Sequence, residues 1–315
     1  MSHINVHSVP GSLPKNGWQL FMSLAQGKWQ PGHSWNNPTY RRKFILRSLA
    51  MPFRTIKLMK NLVSQPFLAS MLTAQPGLPC RLHRPYLAVN IPRAETFKAI
   101  ACHYRDISDI FSEQMLKECF TERGYCLAEL QGKNNESYFV NLSSFDMQGK
   151  EGEVTLNLCD RERVMLAKLT FTLCQHDGKK TLFIGGLQGA KSSTPHESIQ
   201  VATKACYGLF PKRLLLETIC ILARYCHAEQ ILAVSNSTHI YRSWRYEKKK
   251  KQLMHADYNS FWLSMNGTLR KDGLFLLPAA IERKSLEDIA SKKRAEYRRR
   301  YELLDNLTHS IDGHF

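Results

Sequence analysis

Residues 164–189, VMLAKLTFTLCQHDGKKTLFIGGLQG, decide the fold. The first run is rich in β-branched and aromatic residues, His176-Asp177-Gly178-Lys179 is a turn signal, and TLFIGGLQG is a second strand carrying Gly185, Gly186 and Gly189. Two such runs across a short polar turn predict an antiparallel hairpin. Upstream, YFVNLSSFD (138–146) and EVTLNLCD (153–160) repeat the strand pattern with Gly149 and Gly152 between them, so 136–189 reads as successive hairpins. Downstream the period changes to that of helices in HESIQVATKACYG (196–208) and PKRLLLETICILARYC (211–226). Pro211 suits the first turn of the second, and its apolar residues surround much of the circumference, as in a helix buried on a sheet. QILAVS (230–235) is a short interior strand, FWLSMNG (261–267) and GLFLLPA (273–279) are late strands, and Ser285 with Glu287–Leu304 forms a charged terminal helix.

Two helices, ETFKAIACHYRDISDIF and SEQMLKECFTER, fill residues 95–123, and the whole stretch to residue 131 is assigned to them. Before them, YRRKFILRSLAMPFRTIKLMKNLVSQPFLASML (40–72) places Phe44, Leu49, Phe53, Ile56, Met59 and Val63 at helical intervals, with Pro52 and Pro66 marking breaks or starts. The chain therefore divides into a basic, mainly helical region (1–94), an α/β core with a mixed, largely antiparallel sheet (95–281), and a charged helix and tail (282–315). The order lacks the regular strand-helix-strand period of a doubly wound sheet.

Charge is concentrated at the start. Residues 1–94 hold twelve Lys or Arg and no acidic residue, and so carry +12 of the formal net charge of +17. A field of that sign attracts nucleic acid, anionic lipid, or an acidic protein or carrier. A second basic stretch, RSWRYEKKKK (242–251), could place cations on phosphates beside aromatic rings. An odd number of cysteines, nine, at irregular spacing argues against a disulfide framework and for a reducing compartment. With no secretory leader pattern and no apolar run of spanning length, a cytoplasmic location, peripheral at the inner membrane, is expected.

The sequence contains no phosphate-loop, dinucleotide, metalloprotease or serine-elbow motif, and no metal is expected. Chemistry has to come from groups gathered at strand ends. Gly185, Gly186 and Gly189 let a ligand approach the backbone or merely shape a turn. His196 precedes a helix, and SNSTHIYR (235–242) puts Asn236, His239 and Tyr241 just after a strand. His239 suits a general base, with His196 or the more remote Glu153 as alternatives, and Tyr241 suits a proton donor. Against this stand the structural alternatives: Asn236 as a cap, Tyr241 as a core ring and His239 in solvent.

The segments YRRKF, FIGGLQG, YGLFPKRLLLE, ILAVSNSTHIYR and HADYNSFW resemble the bacterial VirK/YbjX family, most closely its VirK branch. That resemblance implies an association with the envelope, surface-protein production and virulence, without a reaction. The order of hairpins, glycine-bearing strand, helix, strand and N-x-x-H-I-Y also looks like the core of acyl-CoA N-acyltransferase folds. This second resemblance implies that TLFIGGLQG is a splayed central strand admitting an acyl donor, with Gly185, Gly186, Gly189, Lys191 and Asn236 on the donor side and Tyr241 protonating the leaving thiolate. The Q/R-x-x-G-x-G/A pyrophosphate loop of those folds is absent between Gly189 and His196. The expected donor is thus acyl-CoA or an acyl carrier. Two readings stay open: an acyltransferase acting on an amine, and a non-enzymatic factor binding an anionic membrane, an envelope protein or RNA.

Overall fold

The computed structural model describes residues 11–145, 149–191, 193–246 and 257–315. Its start is helical: α1 (Gly17–Gln26), α2 (His33–Asn36), α3 (Pro38–Ala50), α4 (Pro52–Val63) and α5 (Leu68–Ala74). Local chemistry sets these boundaries. The Asn16 and Asn37 side chains accept from Gln19 N–H and Thr39 N–H at the starts of α1 and α3, while Pro38 and Pro52 occupy first-turn positions that need no N–H. Helices α6 (Arg93–Ile110) and α7 (Glu113–Cys119) follow.

Among the described residues eight strands form one sheet in the order β1-β2-β3-β4-β5-β6-β8-β7. They are β1 (Tyr125–Gln131), β2 (Ser137–Ser143), β3 (Val154–Asp160), β4 (Met165–His176), β5 (Lys179–Gly189), β6 (Gln230–Ala233), β7 (Thr268–Leu269) and β8 (Phe275–Leu277). Every pairing is antiparallel except β5 with β6. At the β4–β5 turn Asp177 (φ 52°) and Gly178 (φ 76°) both lie in the left-handed region, the backbone that a tight two-residue hairpin demands. Helices α8 (His196–Ala205) and α9 (Pro211–Tyr225) link β5 to β6. Residues 169–174 of β4 are buried in succession, so both faces of that strand are covered, and both α6 and α9 pack on it. Ten residues of α9 are buried, Cys220 among them, as its all-round apolar pattern predicts.

Three sequence expectations need correction. Residues 125–131 form β1 rather than the end of a helical stretch, because a bulge between Cys126 and Ala128 breaks the alternation that would identify a strand. FWLSMNG belongs mostly to a helix, α10 (Tyr258–Ser264). The Asp257 carboxylate caps it by accepting from Ser260 N–H, and Tyr258 and Trp262, one turn apart, bury the same face. The terminal helix α11 runs over Ser291–Asp312, later than expected, because Leu303, Leu304, Leu307 and Ile311 continue a buried stripe beyond residue 304. That helix covers the β1 edge, where the Ser310 hydroxyl donates to the Leu127 carbonyl (3.1 Å).

Candidate functional site

The parallel pairing of β5 and β6 runs from Thr181–Gln230 to Ile184–Ala233, with one further bond from Val234 N–H to the Ile184 carbonyl (3.0 Å). Beyond that point β6 ends and β5 runs on to Gly189 without a parallel neighbour. On its other side β5 is bulged: Phe171 of β4 faces Ile184 and Thr170 faces Gly186, leaving Gly185 as the extra residue. The glycines are required here by crowding. A Cβ on Gly185 would collide with the Glu151 carbonyl, and one on Gly186 with the Glu151 carboxylate.

Glu151 is the centre of this place. Its side chain is 1% exposed, and its carboxylate accepts from Gln188 Nε2 at 3.0 and 3.2 Å. The Tyr241 hydroxyl is hydrogen-bonded to the same carboxylate. His239 Nε2 lies 3.4 Å from Glu151 Oε1, while His239 Nδ1 accepts from Tyr241 N–H (3.3 Å). The imidazole stacks on Tyr258 (ring centroids 5.1 Å apart) and meets Tyr241 edge-on (4.8 Å). Burial first, and then the Glu151 charge, push the Tyr241 phenol up to about 12, so it is a held proton at neutral pH. Tyr258 is moved upward by the same two causes.

Lysines gather at the outer end of β5. Lys168 faces Gln188 across the ladder, Lys191 follows Gly189 by two residues, and the Lys212 stem lies beside Gly189. Burial lowers the pKa of Lys168, against the attraction of Glu151 and with the help of Lys191, and burial lowers that of Lys212. Such ammonium groups favour an anionic neighbour.

The structure thus brings together Gly185, Gly186, His239 and Tyr241, with Gly189 and Lys191 at the same strand's end. His239 is buried, not solvent-facing. Asn236 is engaged otherwise: it accepts from Tyr258 N–H (2.8 Å), donates to Asp257 (2.9 Å), and so ties the 235–242 segment to the start of α10. His196 is the first residue of α8, beyond the β5 end. Glu153 belongs to a separate buried group, where its carboxylate meets Arg81 Nε (3.2 Å) and accepts from the Tyr104 hydroxyl (2.7 Å). Sequence reading missed Glu151, Gln188, Lys168 and Tyr258. Gln188 stands inside the FIGGLQG run itself, but nothing local to Lys150-Glu151-Gly152 reveals that Glu151 crosses the sheet at its bulge.

This is an α/β protein whose central strand carries a glycine bulge against a buried Glu-His pair with a half-buried Tyr beside it. A family model described as "Protein of unknown function (DUF535)" matches residues 33–313, and the chain belongs to that family. It is 47% identical over 307 residues to the "Uncharacterized protein YbjX" of Escherichia coli (strain K12), covering 98% of this chain and 93% of that protein. It is also 30% identical over 220 residues to an "Uncharacterized protein" of Haemophilus influenzae (strain ATCC 51907 / DSM 11121 / KW20 / Rd), covering 69% of this chain and 70% of the relative. No helix among the described residues is long and apolar enough to cross a membrane.

Proposed function

We propose that the protein transfers an acyl group from a thioester to an amine, with Glu151, His239 and Tyr241 as the reacting constellation. The observation that carries this reading is the Glu151–His239–Tyr241 group at Gly185–Gly186, its Glu and His buried and its Tyr half-buried, where β5 runs on past the end of its parallel neighbour β6. The strand order, with its single parallel pair, supports the resemblance to N-acyltransferase cores. In those folds a donor occupies the wedge between two parting central strands.

The chemistry follows from the groups present. An acceptor amine attacks the thioester carbonyl, the C–N bond forms and the C–S bond breaks. With Nδ1 held by Tyr241 N–H, His239 carries its proton on Nε2 toward Glu151, so the Glu151 carboxylate takes the proton from the attacking nitrogen and His239 holds that carboxylate in place. Tyr241, still protonated at neutral pH, gives its proton to the departing thiolate. Main-chain N–H groups at the bulge stabilise the oxyanion. Lys168, Lys191 and Lys212 take the place of the missing pyrophosphate loop and neutralise the donor's phosphate, which coenzyme A and an acyl carrier's prosthetic arm share. In this structure Tyr258 and Trp262 close the wedge: Leu187 N–H donates to the Tyr258 hydroxyl (3.4 Å) and Trp262 Nε1 to the Val234 carbonyl (2.8 Å). Donor entry has to displace the first of these bonds. Modification of an envelope component would connect this chemistry to the virulence association that the VirK resemblance implies.

The test is native mass spectrometry with acyl-CoA and with acyl-carrier donors, followed by an amine-acylation assay. The expected result is stoichiometric donor binding and a loss of turnover of about 100-fold or more in His239→Ala and Tyr241→Phe with folding retained. Full turnover in Glu151→Gln would remove the base assignment, and full turnover in His239→Ala the positioning role. Failure of both donor classes to bind the folded protein would end the reading.

A further inference from the structure

We infer that the outer face of α1, α3 and α4 docks the protein onto an anionic lipid bilayer. These helices bury one side among themselves and against the rest of the core through Leu20, Leu24, Phe44, Leu58, Met59 and Leu62. Their other side is not polar. Trp18 is 68% exposed, Leu46 66%, Leu49 68%, Phe53 80% and Ile56 50%. Trp18, Leu49 and Ile56 line a single groove of about 330 Å³ together with Phe21, Ile45 and Pro52. Leu46 precedes Leu49, and Phe53 precedes Ile56, by about one helical turn each, so the apolar surface continues past the groove. Five large apolar side chains gathered on one outer face mark a surface that something covers.

Charge selects what covers it. Arg42 and Lys43 on α3, and Arg54, Lys57 and Lys60 on α4, are exposed beside this surface. The first acidic residue of the chain is Glu95, so no carboxylate from residues 1–94 offsets them. Apolar side chains interleaved with Lys and Arg match an anionic bilayer, which offers headgroup phosphates at the rim and hydrocarbon beneath. Nucleic acid does not satisfy the aliphatic members, since Leu46, Leu49 and Ile56 have no ring to stack on a base. An acidic protein would have to bring its own apolar counter-surface. The inference is independent of the acyl-transfer site, because none of these residues belongs to it.

Sedimentation of the full chain with phosphatidylcholine vesicles, with and without about one third phosphatidylglycerol, tests it. Binding is expected only to the anionic vesicles and should weaken with added salt. Phe53→Ser combined with Leu49→Ser should lower the partition coefficient by about tenfold or more, whereas Leu269→Ser, at a residue of β7 that is 54% exposed, should not. Because the substituted side chains are exposed, far-ultraviolet circular dichroism and thermal unfolding should stay as in the parent. In the Trp244→Phe protein, anionic vesicles should shift Trp18 emission to the blue and shield it from a soluble quencher. Absence of binding to anionic vesicles would overturn the inference. So would binding that survives the double substitution intact, an RNA or acidic carrier that binds this face while vesicles do not, or a self-association abolished by Phe53→Ser without any vesicle binding.

Discussion

His239 Nε2 and Glu151 Oε1 stand 3.4 Å apart with each side chain only 1% exposed, although 88 positions separate them in sequence. The contact exists because two chain segments converge on the glycine bulge. Residues 149–153 cross it from the β3 side, and the segment after β6 returns over it from the other. What distinguishes this pair from the buried Arg81–Glu153 group is its place, at the glycine bulge where β5 runs on past the end of β6.

Gly186→Ala tests how tightly this arrangement is built. The added methyl meets the Glu151 carboxylate, which is buried and already engaged by Gln188, so it has no open path of retreat. Overpacking of this kind should destabilise the fold by about 1–3 kcal/mol, read by urea denaturation. Glu151→Ala vacates that space, so it should cost less in the Gly186→Ala background than in the parent, while leaving acyl transfer, the proposed activity, absent. Additive losses in the cycle with the single Glu151→Ala variant would show that the strain lies in the backbone, not at the carboxylate.

Tyr241 offers a spectroscopic reading of the same group. Burial and Glu151 hold its phenol at about 12 against an ordinary 10.0. Glu151→Gln removes the second cause and leaves the first, so ionisation should move down but remain above 10.0. An ultraviolet absorbance titration, with Tyr241→Phe subtracted to isolate this ring, measures it. The stability sign is fixed by the raised value: the contribution of neutral Tyr241 is complete below pH 10.0 and fades as pH rises through about 12. An unchanged titration in Glu151→Gln would separate Tyr241 from the site.

Much of this architecture is legible in the chain. The β4–β5 hairpin is written in HDGK, and α9 in a Pro followed by apolar residues on every side. What fails is informative. YCLAELQ hides its strand because the Cys126–Ala128 bulge shifts the alternation, and FWLSMNG hides a helix because its period rests on only Tyr258 and Trp262. The site divides in the same way. His239 and Tyr241 lie within three residues of one another after a recognisable strand, whereas Glu151 reaches them only through tertiary folding, and Glu153, two residues away, serves a different cluster.

His103 makes the fold sensitive to acid. It is fully buried, its Nδ1 accepts from Leu173 N–H (3.1 Å), and burial lowers its pKa from 6.5 to about 4. His83, lowered to about 4 by burial and then by Arg47 and Arg84, acts in the same direction. In the unfolded chain both bind protons near 6.5, so stability present above that pH should be lost as pH falls from 6.5 toward about 4. Each contributes on the order of 3 kcal/mol over that window. Urea midpoints measured across it should show the loss, with a smaller pH slope in His103→Leu. That variant should also be less stable at neutral pH by about 1–3 kcal/mol, because the Leu173 N–H loses its acceptor.

The Arg81–Glu153 group joins the helical start of the chain to the sheet and should behave as a coupled unit. Besides the ion pair, Arg81 is hydrogen-bonded to the Gln75 side chain and the Gly149 carbonyl, Gln75 donates to the Glu153 carbonyl (2.8 Å), and Tyr104 donates to the Glu153 carboxylate. Removing either charge alone strands the other in a dry place. Arg81→Met or Glu153→Gln should therefore each cost about 3–5 kcal/mol. The double variant removes both charges and should be clearly more stable than the sum of the single losses allows, with a coupling of up to about 3 kcal/mol. A double-mutant cycle from chemical denaturation measures this directly. Additive losses would mean that the two charges are satisfied separately, Arg81 by Gln75 and Gly149 and Glu153 by Tyr104, and that the link between the helices and the sheet is carried by neutral hydrogen bonds and packing instead.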